Sequence, residues 1–177
     1  MSYIVFIDFD GPLFPKRTFL MNENKNIFQS QKCKELKLHP YITYWKMDQM
    51  AVGMLNNFAE RGAKFVLSTS WSQLHDLPTL ENLLKVNGFN GEIHKDWHLD
   101  FNQEDLNRSQ QIKKWLDSHP EYNQKYIMID DVVSAPEIAK PDLMKMYGLD
   151  PSRIFLVDEN NGILMKQYHD MLKFFPS

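Results

Sequence analysis

Asp8 and Asp10 stand two residues apart where the apolar run Tyr3–Ile7 gives way to Asp8-Phe9-Asp10-Gly11. In an extended chain, residues i and i+2 start from the same face. Two carboxylates side by side repel unless a cation or a partner offsets them, so the spacing points to a cation or a counter-charge. Gly11 permits an immediate tight turn and a close backbone approach to a ligand. Three further apolar runs also end in groups that do chemistry. Lys64–Leu67 runs into Ser68-Thr69-Ser70-Trp71, Tyr126–Ile129 into Asp130-Asp131, and Ile154–Val157 into Asp158.

Continuous β-branched and aromatic runs of this length read as strands buried on both faces of a parallel sheet. Helical patterns lie between them. Met47, Met50, Ala51, Met54, Leu55 and Phe58 follow the 3.6-residue period, with Gly62 placed to end the helix. Leu80, Leu83 and Leu84 form a shorter stripe stopped near Gly88. Ile112, Trp115 and Leu116 form another, with Asn107 or Ser109 as candidate cap and Pro120 as terminator. Ile163–Phe175 reads as a C-terminal helix. Alternating strands and helices imply an α/β fold with right-handed crossovers, in which the carboxyl ends of the strands gather the ligand site.

The chain has 177 residues, 43% hydrophobic and 24% charged, with a net charge of -3. That is the size of one domain, long enough to bury a substantial core without staples, and the charge excludes a general polycation. One cysteine, Cys33, excludes an internal disulfide. No apolar run reaches the ~18 residues of a membrane helix. The N-terminal run carries aspartates and lacks a basic start, unlike a conventional signal peptide, so a cytoplasmic location is the default. Residues 14–40 fit the alternation poorly. They are polar and hold six Lys or Arg against two Glu, a net +4, and read as a long loop or small insertion over the site.

The ordered strand ends resemble those of the haloacid dehalogenase-like phosphohydrolases. Their first motif, hhhhDxDGxL, stands here as IVFIDFDGPL from Ile4 to Leu13, with Pro12 an uncommon residue in its place. Their second, a strand ending in Ser or Thr, stands as FVLSTSW, and their acidic fourth as YIMIDD. Their third, a basic residue at the head of a helix, matches Arg108 in NRSQQIKKWL, with Lys95 and Lys113 as competitors. The resemblance covers nearly the whole chain. It is greatest to small uncapped domains of RNA-repair-type proteins, which share Trp71, the Arg108–Ile112–Trp115–Leu116 pattern and a late Asp158–Gly162–Ile163.

This resemblance implies a Rossmann-like parallel sheet between helices, minimal or no cap, and a Mg²⁺-dependent phosphatase. Asp8 would attack phosphorus to form an aspartyl-phosphate. Asp10 would act as general acid and then as base. Thr69, with the Ser70 backbone N–H, would bind phosphoryl oxygens, Ser68 being the alternative, and Arg108 would stabilise charge on them. Mg²⁺, a hard ion with oxygen ligands, would be held by Asp8, the Asp10 carbonyl and either Asp130 or Asp131. With room for no large cap, the site would be open. The expected substrate is then a phosphorylated macromolecule, a phosphoprotein (phosphotyrosine included) first, and a 3′ or 5′ nucleic-acid end or a nucleotide next. A non-catalytic phosphate-binding module is the alternative from another class.

Other chemistry-bearing residues read more plainly. His94 and His98 have a zinc-like spacing but no third ligand, and HKDWH reads as loop. Cys33 has no base near it in sequence. Trp71, Trp97 and Trp115 read as core or rim, the ten methionines as core filler, and Asp158 as structural.

Overall fold

Strand β1, Tyr3–Ile7, is nearly all buried, as its unbroken apolar run requires. It lies at the centre of a five-stranded parallel sheet. The other strands are β2 (Ala63–Leu67), β3 (Glu92–His98), β4 (Tyr126–Asp131) and β5 (Ile154–Val157), and the order across the sheet is β3-β2-β1-β4-β5. Among the described residues, the helices of six or more residues are α1 (Gln49–Glu60), α2 (Leu77–Val86), α3 (Arg108–Ser118), α4 (Pro141–Met146) and α5 (Met165–Leu172). The chain is seen in a computed structural model that describes residues 2–21, 23–25, 45–99, 106–133 and 135–176. Much of the expected basic excursion, and Cys33 within it, lies outside the described residues.

The alternation of side chains across β1 divides the core in two. Val5 and Ile7 face a cluster built with α1, α2 and α5, including Leu55, Phe58, Leu83 and Met171. Ile4 and Phe6 face a second cluster that includes Ile112, Trp115 and Leu116 of α3 and Met144 of α4. Each fully buried side chain of this kind contributes about 1.5–3 kcal/mol. The helices start on caps written into the sequence. The Asp48 carboxylate accepts from Met50 N–H at 2.9 Å, and Asn107 forms a reciprocal capping box with Gln110.

Two expectations change, and one helix is new. HKDWH is not a loop but most of edge strand β3, whose register shifts against β2 between Phe65 and Leu67. The C-terminal helix spans only Met165–Leu172; Ile163 is buried in the segment leading into it. Helix α4 carries no apolar stripe that announces it: Pro141 opens it, and Met144 is its one buried residue. Among the described residues, no helix is long and apolar enough to cross a membrane.

Candidate active site

Parallel register brings the strand ends together. Ile7 pairs with Leu67 on one side and Ile129 on the other. Asp8 N–H donates to the Ile129 carbonyl at 3.1 Å, and Ser68 N–H to the Ile7 carbonyl at 3.0 Å. Asp8 therefore lies between Ser68 and Asp130. On β5, Leu156 pairs with Asp130 and Val157 with Asp131, which carries the row on to Asp158.

The two-residue period also decides which face each acid takes. Asp8 follows Ile4 and Phe6, and Asp130 follows Tyr126 and Met128; all four apolar residues face α3. Arg108 is the first residue of α3 and lies on its buried stripe with Ile112, Trp115 and Leu116. Its guanidinium is thereby aimed between the two acids. Nη1 lies 2.7 and 2.9 Å from the Asp130 carboxylate oxygens and 3.0 Å from Asp8 Oδ2. Burial works against the Arg108 charge, but Asp8 and Asp130 outweigh it and hold the group ionised. Burial, then the Asp8 charge, pushes the Asp130 carboxyl well above the usual range, against the opposing pull of Arg108.

Asp8 is 1% exposed. Its Oδ1 accepts from Phe9 N–H at 2.8 Å. Its Oδ2 is buried and makes no hydrogen bond, because the Arg108 contact is an ion pair without hydrogen-bond geometry. Arg108 Nε is likewise buried without a hydrogen bond. The Asp131 side chain lies against Gly11 in the turn after β1. A Cβ added to Gly11 would come within 2.6 Å of Asp131 Oδ2, and Gly11 has φ +79°, so only glycine fits there. Asp10 is half-buried. Burial raises its pKa; the Trp71 hydrogen bond opposes the rise, and the charges of Asp8 and Asp131 add to it.

The hydroxyl candidates sit on the neighbouring turn. Ser68 and Thr69 are both buried, and Ser70, exposed, opens a 3-10 turn over Ser70–Gln73. Thr69 Oγ1 accepts from Trp71 N–H at 3.3 Å, so it caps that turn. The competing cations are elsewhere: Lys95 is exposed on β3, and Lys113 pairs with Asp117 on the surface of α3. Asp158 is spent on its own turn, accepting from the backbone N–H groups of Asn160 and Asn161 at 3.0 and 2.9 Å. That turn packs on the segment after β1: Lys16 N–H donates to the Glu159 carbonyl at 2.8 Å, and a Cβ on Gly162 would lie 3.1 Å from Pro15.

The donor set suits Mg²⁺. Asp8, Asp10, Asp130 and Asp131 offer only oxygen, the kind of ligand a hard divalent ion takes, and the buried, hydrogen-bond-free Asp8 Oδ2 is an atom such an ion would satisfy. A second group, His94, Asp96 and His119, offers ligand atoms within 4.8 Å of one another. His98 is not part of it. Its proton arrangement is set by hydrogen bonds: His94 Nδ1 accepts from Asp96 N–H at 3.1 Å, which leaves the proton of the neutral ring on Nε2. Burial, and then the neighbouring His119, favour that neutral form. His94 therefore has no lone pair to give a metal without breaking this bond.

What sequence reasoning missed is the partner of Asp10. Trp71, expected as core or rim, donates its indole N–H to Asp10 Oδ2 at 3.0 Å. The only signal is a Trp placed directly after the Ser/Thr strand end.

A scan against protein-family models matches residues 4–154 to the HAD domain in Swiss Army Knife RNA repair proteins. No curated protein and no solved structure matches the chain. The matched stretch runs from the start of β1 to the start of β5 and takes in Asp8, Asp10, Ser68, Thr69, Arg108, Asp130 and Asp131, but not Asp158. A helix-flanked parallel sheet, with a family match over most of its length, makes this chain a member of the HAD superfamily, in the family of HAD domains found in Swiss Army Knife RNA repair proteins.

Proposed function

We propose that the protein is a Mg²⁺-dependent phosphomonoester phosphatase acting on the phosphorylated end of a nucleic acid through an aspartyl-phosphate. The observation that carries the chemistry is the convergence of Asp8, Asp130 and Arg108 within 3.0 Å at adjoining strand ends. The family's association with RNA repair favours a polynucleotide end over the phosphoprotein expected from an open site.

In this reading Asp8 is the nucleophile and Asp10 the proton donor to the leaving oxygen. Arg108 holds Asp8 in place, and its unspent Nε–H is a donor for a phosphoryl oxygen. Ser68 or Thr69, with the Ser70 N–H, supplies further donors. Asp8, the Asp10 carbonyl and Asp131 are assigned to Mg²⁺. Asp131 is preferred to Asp130 in that set because both Asp130 oxygens already accept from Arg108. Bound Mg²⁺ would offset the repulsion between carboxylate and phosphate.

The test is hydrolysis of 3′- and 5′-phosphorylated oligonucleotides, a phosphotyrosine peptide and an aryl phosphate, with Mg²⁺ or with EDTA. Mg²⁺-dependent release of phosphate from an oligonucleotide end, abolished by Asp8→Asn, is expected. Preference for the peptide would overturn the substrate assignment. Silence toward every ester would overturn the enzyme assignment and favour a phosphate-binding module.

A further inference from the structure

Asp10 and Trp71 stand on loops 61 residues apart in sequence yet share a 3.0 Å hydrogen bond from indole Nε1–H to carboxylate Oδ2. The indole N–H is a donor and nothing else. Oδ2 is therefore the accepting oxygen, and a carboxyl group accepts best at the oxygen that does not carry its proton. Protonated Asp10 thus bears its hydrogen on Oδ1. The indole itself is clamped. Its ring stacks on Phe14 with centroids 5.3 Å apart and an 11° interplanar angle, and meets the edge of Phe9 at 5.5 Å. Phe9 and Phe14 are core residues. Its backbone N–H is held by Thr69 Oγ1. Asp8 is buried whereas Asp10 and Trp71 are half-buried, so the pair reaches solvent, as a departing group must.

We infer that Trp71 is a positioning residue for proton transfer: its indole N–H fixes the Asp10 carboxyl so that Oδ1 faces the leaving-group oxygen. The inference rests on the phosphatase reading above. As the Asp8 carboxylate forms its bond to phosphorus, the ester P–O bond breaks, and the departing oxygen takes the Oδ1 proton and leaves as a hydroxyl compound. Asp10, now a carboxylate, removes a proton from the water that attacks the aspartyl-phosphate. Inorganic phosphate is released, and both aspartates return to their starting states. The first transfer matters in proportion to the basicity of the leaving oxygen.

The experiment compares kcat/KM for phenyl phosphate, whose leaving group needs the proton, with that for 2,4-dinitrophenyl phosphate, whose leaving group does not. Trp71→Phe is expected to lower the first by about tenfold or more and the second by less than about threefold, general acid catalysis being worth about 10²–10⁴ in all. The second variant replaces the indole at position 71 with its benzothiophene isostere, which keeps the stacking and deletes only the N–H. The same selective loss is expected, and this variant carries the test if Trp71→Phe does not fold. Equal losses on both esters, or an isostere that matches the wild type, would overturn the inference while leaving the phosphatase reading in place. A wild-type protein that releases phosphate from neither ester nor from an end-phosphorylated oligonucleotide would overturn both.

Discussion

Arg108 is buried between two carboxylates that the fold cannot move apart, since Asp8 and Asp130 extend adjacent strands. Removing one partner of a buried ionic group leaves an uncompensated charge and typically costs about 3–5 kcal/mol. Arg108→Met should therefore lower the unfolding free energy by about 3 kcal/mol in EDTA, measured by urea denaturation. Added Mg²⁺ should recover part of that loss, because a cation on Asp8 restores the missing counter-charge. A variant as stable as the wild type without metal would show that the triad carries no such strain. Gly11 is constrained differently. Its φ of +79° and the 2.6 Å approach of Asp131 Oδ2 leave no place for a methyl group. Gly11→Ala should cost about 1–3 kcal/mol from backbone strain alone. It should also weaken Mg²⁺ binding, read by isothermal titration, because the Asp131 carboxylate must move to admit the methyl. Unchanged Mg²⁺ affinity would place Asp131 outside the metal site.

The elements that carry the site were legible wherever a fully buried strand meets a polar end. Strands β1, β2 and β4 appear as apolar runs because both their faces are covered, and edge strand β5, only partly buried, keeps its run because its side chains still pack against the two core clusters. The candidate caps Asn107 and Ser109 and the stripe at Ile112, Trp115 and Leu116 marked α3, and it is the structure that makes Asn107 the cap and Arg108 the first helical residue. Edge strand β3 escaped because only His94 of its seven residues is fully buried, so its sequence has a loop's polarity. The Asp10–Trp71 bond escaped because it joins two loops, and no periodicity encodes contacts between loops. The same holds for the support behind the first turn. There the Asp158–Gly162 loop lies against Pro15, and a Cβ at Gly162, where φ is +68°, would also come within 3.3 Å of the Gly11 carbonyl. Gly162→Ala should displace the Asp10–Pro15 turn through that contact. The expected outcome is a lower kcat with Mg²⁺ affinity and Arg108 contacts retained, read by steady-state kinetics beside metal titration. Full activity in a folded Gly162→Ala protein would show that the turn does not depend on this loop.

At the scale of the molecule, the net charge of -3 sets an acidic body against a polyanionic substrate. Several described cations near the site are already spent. Lys16 pairs with Glu159 at 2.7 Å, Arg17 with Asp48, and Arg108 with Asp8 and Asp130. Among the described residues near the site, few are left to displace counterions along a nucleic-acid backbone. Recognition then concentrates on the terminal phosphate, and this has a measurable consequence. Each backbone phosphate neutralised contributes roughly 0.7 to the slope of log affinity against log salt for a single strand. At constant Mg²⁺, log kcat/KM for an end-phosphorylated single strand should fall with log salt with a slope of magnitude below about 2. Lengthening the strand should leave that slope unchanged if added phosphates meet only the described residues, whose cations near the site are already paired. Phenyl phosphate, with no backbone, should give a nearly flat line. A slope beyond about 4 that grows with strand length would mean that an extended basic surface tracks the backbone. In that case substrate choice would reside in the basic excursion after β1 rather than in the strand-end pocket.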